Sequence, residues 1–94
     1  MLDKKQRKFL KAQANELSAI VIIGKEGITE NVIASLKDAL AAHELVKVSL
    51  LKTVDQDVHA AALDLASATH SEVVQTIGRV IVLYKRSKKN KMGL

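Results

Sequence analysis

Apolar residues recur along this chain with two different periods, and the switches between them mark out seven elements. Over residues 3–17, Leu2, Phe9, Leu10, Ala14 and Leu17 fall on one broad side of a helical projection. Lys4, Lys8, Lys11 and Asn15 line a narrow stripe opposite, which predicts an amphipathic helix. Residues 19–23 are a β-branched run closed by Gly24, the pattern of a buried strand. After Gly27, Thr29 is placed to cap a second helix with Glu30 in its first turn. Ile28, Val32, Ile33, Leu36, Ala39 and Leu40 carry that helical stripe to about residue 43. Val46, Val48 and Leu50 then alternate with Lys47 and Ser49, as in a strand with one face better buried than the other. Thr53 or Asp55 opens a third helix in which Val54, Val58, Ala61, Ala62 and Leu65 share a face, alanine-rich enough for close approach to a sheet. Glu72 to Ile77 alternate weakly as a third strand, Gly78 is a candidate turn residue, and Arg79 to Tyr84 read as a fourth strand apolar on both faces.

The order is αβαβαββ, an α/β fold with a four-stranded mixed sheet packed with three helices. Two right-handed βαβ crossovers are expected to make it partly parallel, and the final hairpin adds an antiparallel strand. Strand order does not follow from the pattern. With no Pro, no low-complexity linker and no repeat, residues 1–94 read as a single domain.

Composition narrows the chemistry. No Cys means no disulfide and no thiolate ligand or nucleophile. The charged N-terminal segment is followed by no secretory apolar stretch, so the expected address is cytoplasmic, with no membrane partner. The formal charge of +5 is unevenly spread. Residues 1–11 hold Lys4, Lys5, Arg7, Lys8 and Lys11 against Asp3, and residues 85–94 hold Lys85, Arg86, Lys88, Lys89 and Lys91 with no acid. The stretch between them has five cations and nine acids, a net of −4. An acidic body with basic ends is the footprint of a polyanion partner, nucleic acid first. Phe9 and Tyr84 are the whole aromatic complement, too few for recognition by base stacking. The segment 87–94 reads as a basic tail able to be flexible.

The most informative local motif is Gly24-Lys25-Glu26-Gly27 between the first strand and the second helix. Its glycines allow a tight turn and a close backbone approach, the helix behind it offers free N–H groups to a phosphate, and Lys25 adds a cation at the tip. A GxxG loop of this kind clamps the nucleic-acid backbone in KH domains. A plain turn is the competing reading of four residues, and Glu26 opposes an anion unless it points away. Walker A and dinucleotide fingerprints are missing. His43, His59 and His70 are too far apart in sequence for a helical ligand pair. His43 is expected to cap a terminal carbonyl of the second helix, and His59 and His70 to lie on the surface. The serines lack a nucleophile-elbow context, and Asp55 and Asp57 read as first-turn acids of the third helix. No catalytic residue, metal site or cofactor is expected.

Taken together the segments resemble a known family. Leu10-Lys11-x-x-Ala14-x-x-Leu17 followed by Ile23-Gly24-Lys25-x-Gly27-Ile28-Thr29 is similar to the opening of the CRM domain, the chloroplast RNA splicing and ribosome maturation domain. His43-Glu44-Leu45-Val46-Lys47-Val48 and Ile77-Gly78-Arg79-Val80-x-x-Leu83-Tyr84-Lys85-Arg86 resemble its later signature segments. Asn15 stands where the family commonly has His, Ser18-Ala19 where it has Lys-Pro, and Ile22 where it has Gln. A single copy of this size resembles the bacterial YhbY-like members. The resemblance implies a fold similar to the C-terminal domain of translation initiation factor three, and an RNA-binding module associated with rRNA in precursor large ribosomal subunits. It implies an RNA-contacting loop at Gly24, Lys25, Glu26 and Gly27. Basic support is expected from Lys4, Arg7, Lys8 and Lys11 of the first helix and from Arg79, Lys85, Arg86, Lys88 and Lys89 at the other end of the chain. The expected protein is a non-enzymatic monomer without a small-molecule substrate. Two other classes compete: a module that docks an acidic protein through its basic termini, and a small acylphosphatase-type enzyme, which would need an Arg where the loop offers Lys25.

Overall fold

Each helix begins where a side-chain oxygen takes up a free N–H. In the computed structural model, which describes residues 2–94, Asp3 accepts from Gln6 N at 2.8 Å and Gln6 returns the bond to Asp3 N at 3.1 Å, a capping box that starts α1 (Lys4–Ala14). Thr29 accepts from Val32 N at 3.2 Å and starts α2 (Glu30–His43), as the sequence predicts. Asp57 accepts from His59 N and Ala60 N and starts α3 (Val58–Thr69). The third helix therefore opens later than Thr53 or Asp55, and Asp57 is its cap rather than a first-turn acid. The reason lies across the molecule: Arg79 binds the carbonyls of Leu50, Leu51 and Val54, which holds residues 51–54 as a loop. Val54 still reaches the core, but from that loop.

The strands are β1 (Val21–Ile23), β2 (Leu45–Leu50), β3 (Glu72–Ile77) and β4 (Val80–Tyr84), in the spatial order β1-β2-β4-β3. β1 pairs parallel to β2, with Val21 opposite Val48. β4 lies antiparallel to both β2 and β3, so those two run parallel to each other with the last strand inserted between them. The mixed sheet and both crossovers agree with the expected αβαβαββ fold. β1, by contrast, is an edge strand with Ile22 59% exposed, not a strand buried on both faces. Its outer face extends past the reach of α1.

Two cores form, one on each face of the sheet. Ile23, Val48, Leu50, Ile81 and Leu83 meet Leu36 and Leu40 of α2 and Ala61, Ala62 and Leu65 of α3. On the other face, Leu45, Val74, Val82 and Tyr84 meet Leu10 and Ala14 of α1. Only those two α1 residues are buried. The helix ends at Ala14 instead of continuing to residue 17, and Phe9 and Leu17 are exposed. α1 thus covers one end of its face, and α2 and α3 share the whole of the other.

Candidate nucleic-acid interface

The Gly24–Gly27 segment forms a closed turn. Gly27 N donates to Gly24 O at 2.9 Å, and Gly27 takes φ +74°, a conformation that strains any residue with a Cβ except, to a lesser degree, Asn and Asp. A Cβ on Gly27 would meet nothing within 4 Å, so the glycine leaves an open approach to the start of α2. There the cap residue Thr29 satisfies Val32 N alone by its side chain, and the N–H groups of Glu30 and Asn31 point out of the helix end. Lys25 and Glu26 are both exposed at the tip, so the loop carries one charge of each sign.

The loop does not stand alone at its end of the sheet. Leu51 N donates to Ile23 O at 3.0 Å, which carries the ladder past the end of β2 and sets the 51–54 loop beside Gly24. Lys52 is exposed in that neighbouring loop with no partner among the described residues. Charge pattern alone gave no reason to link it with Lys25, because 26 residues and a helix separate them. Arg79 belongs to the same end, but its guanidinium is engaged: Nε donates to Leu50 O at 3.2 Å, and Nη2 to Leu51 O at 2.7 Å and Val54 O at 3.0 Å. Its role is to build the loop that flanks the glycines. Arg79→Ala is expected to cost about 2–3 kcal/mol, the scale for charged hydrogen bonds lost from carbonyls that burial keeps partly from water. Urea denaturation measures this, and an unchanged midpoint would mean that the 51–54 loop stands without the arginine.

The other expected cations collect elsewhere. Arg7 donates through Nη1 to Val73 O at 2.6 Å and Val74 O at 3.0 Å, where β3 bulges and frees its carbonyls, so it fastens α1 to the sheet. Lys85 Nζ donates to Thr69 O at 3.0 Å and satisfies the end of α3. Lys4, Lys8, Lys11, Arg86, Lys88 and Lys89 are exposed, and none has a partner among the described residues. Lys5 and Lys37, not singled out by the charge pattern as contacts, share that property.

The segment expected as a loose tail is folded onto one buried acid. Glu44 is 0% exposed and has φ +65° at the end of α2. Its carboxylate accepts from Ser87 N, Lys91 N and Met92 N, each at 3.0 Å, and from the Ser87 hydroxyl. Burial pushes its pKa up. The hydrogen bonds from the Ser87 hydroxyl and from the backbone of Lys91, Met92 and Ser87 outweigh that and hold it at about 2. Lys91 Nζ donates to Ala42 O, and Glu44 N donates to Leu40 O at 2.8 Å. These two groups close α2. His43, expected to do so, is exposed and makes no hydrogen bond among the described residues. Met92 and Leu94 then pack with Leu2 against the α1 side of the sheet. His59 and His70 are exposed as expected. No cluster of metal-ligating side chains occurs among the described residues, and no described helix is long and apolar enough to cross a membrane.

Fold and surface together define a small α/β module with a cationic exterior, one glycine-framed loop and an anchored basic tail. The chain belongs to the CRS1 / YhbY (CRM) domain family, whose profile matches residues 2–85. It is 45% identical over 91 residues to "Probable RNA-binding protein YqeI" of Bacillus subtilis, covering 97% of this chain and 95% of that one. It is 37% identical over 93 residues to a Haemophilus influenzae protein named "RNA-binding protein", covering 99% and 94% of the two chains. The solution structure of the hypothetical protein SAV1595 from Staphylococcus aureus superposes with a TM-score of 0.84 at 43% identity, covering 98% of this chain and 96% of the other.

Proposed function

We propose that this protein is a non-enzymatic RNA-binding factor that associates with rRNA in precursor large ribosomal subunits and assists their assembly. The observation that carries this reading is the disposition of its 15 Lys and Arg side chains. Arg7, Lys47, Arg79, Lys85 and Lys91 bond to backbone carbonyls, and the remaining ten have no partner among the described residues although the chain holds ten acids. Cations kept apart from the protein's own carboxylates are available to phosphate. The Gly24–Gly27 loop adds backbone N–H groups and an open approach. Family membership supports the same partner, since relatives across the full length carry RNA-binding names. With so few aromatics, selectivity falls to RNA shape, and structured RNA is favoured over stacked single strands. The protein acts as a cytoplasmic monomer without a cofactor or small-molecule substrate.

The loop's part is tested at Gly27. Asn and Asp both tolerate its positive φ and match in size, so the pair isolates charge from strain. Gly27→Asp is expected to bind a large-subunit rRNA fragment about tenfold more weakly than Gly27→Asn at fixed salt, a difference near 1.4 kcal/mol. Equal affinities for the two folded variants would remove the loop from the RNA surface.

A further inference from the structure

Besides the lysines of α1, partnerless cations stand at both ends of α2. Lys25 and Lys52 stand at its N-terminal end. At its C-terminal end, Arg86 and Lys88 line a cleft of about 260 Å³ with Leu40 and Ala41, which Lys37 borders from midway along the helix. That cleft shares Ala41, Ser87 and Lys88 with a second one of about 350 Å³, which Lys89 and Lys91 also border. The 14 residues of α2 span about 21 Å at 1.5 Å per residue. In between, Lys37 is the one exposed cation among Asn31, Ala34, Ser35 and Asp38, so the positive charge is concentrated at the two ends.

A loose tail could swing toward the loop, but this one cannot. Glu44 holds the backbone of Ser87, Lys91 and Met92, and Met92 and Leu94 are packed against the opposite side of the sheet. The backbone that carries the lysines is held in place, so only their side chains remain to be ordered on binding, and its distance from the loop is fixed. We propose that the protein grips RNA at two separate phosphate sites, the Gly24–Gly27 loop and the Glu44-anchored tail, and that its ligand is a folded RNA whose backbone passes both ends of α2. The proposal rests on the RNA-binding reading and adds the spacing that selects the RNA. Glu44 is a positioning residue in it.

The experiment titrates the full chain at fixed salt with a large-subunit rRNA stem–loop and with a single-stranded oligonucleotide of about four residues. Variants are Gly27→Asp for the loop, Lys88→Gln with Lys89→Gln for the tail, and their combination. Against the stem–loop, loop and tail variants are each expected to lose about tenfold and the combination about 100-fold, because sites this far apart add in free energy. The short oligonucleotide cannot bridge the two and is expected to bind the parent weakly at two sites, each variant removing one. Glu44→Gln should reproduce the tail variant and speed amide exchange at Lys91 and Met92. Since it also alters a buried group, the exposed lysine pair carries the test. A tail variant that binds the stem–loop like the parent, while Gly27→Asp does not, overturns the second site and leaves the RNA reading standing. So does a tail that governs binding of polyglutamate but not of RNA. A combination no weaker than either part overturns the separation of the sites. A parent that binds neither RNA removes the RNA reading along with the two sites.

Discussion

Leu36→Ala is expected to destabilise the protein by about 2–5 kcal/mol, the cost of lost transfer energy plus the cavity left behind. Leu36 is wholly buried midway along α2, in the core cluster formed with Ile23, Leu40, Leu65 and Ile81. Its neighbours belong to a strand, a second helix and the central part of the sheet, and they cannot all close on the void. Lys25→Ala, at an exposed loop tip, should leave the melting temperature almost unchanged. Thermal melts of the two variants check the ranking, and a reversed order would contradict the packing of α2. In this small domain a loss at the upper end of that range approaches the whole stability.

The second large effect is acid sensitivity centred on Glu44. Its pKa is about 2 when folded against an ordinary value of 4.5. The stability it contributes is therefore fully present above pH 4.5 and is lost as pH falls from there toward 2. Within that window the anchored tail should be released first, seen as lower amide-exchange protection at Ser87, Lys91 and Met92 relative to the unfolded rate at the same pH. Glu44→Gln should remove most of that pH dependence. Glu44→Ala removes the acceptor outright and strands four donors. Even one such donor left buried without a partner costs about 1–3 kcal/mol. A parent and a Glu44→Gln variant with the same stability profile across the window would refute the assignment.

What the sequence discloses here depends on how local the cause is. Thr29, the apolar stripe of α2 and the alternation of β2 are settled by neighbours within a few positions, and all three are found where the pattern puts them. The start of α3 is set by a guanidinium 25 residues beyond Val54, so a cap rule applied to Thr53 or Asp55 misses it. β1 looks doubly buried because its side chains are apolar, but an edge position is a property of strand order, which no local period encodes. The Gly24–Gly27 turn is legible from two glycines. Glu44 is not, since its partners lie 43 to 48 residues away and, apart from the Ser87 hydroxyl, are backbone N–H groups that every residue but proline supplies. The one sequence signal is an acid set among apolar neighbours at the close of a helix, and it becomes informative only once the tail is seen to reach it. For the same reason the expected basic contacts divide. Residue type identifies the fifteen cations, and only the fold distinguishes those committed to carbonyls from those left facing outward.

The inserted strand sets a sequence of events during synthesis. β3 leaves the ribosome before β4 but has no hydrogen-bonded neighbour until Val80–Tyr84 arrives to fill the gap beside β2. The parallel pair β1–β2, with α2 across it, is the largest part of the sheet that can form earlier. The carboxylate of Glu44 is emitted as part of that early unit and must wait for residues 87–92 before its charge is compensated. Chains truncated before residue 80 should therefore be protease-sensitive throughout β3 and α3. Resistance should appear in a single step once the last strand and the segment that clasps Glu44 have cleared the exit tunnel.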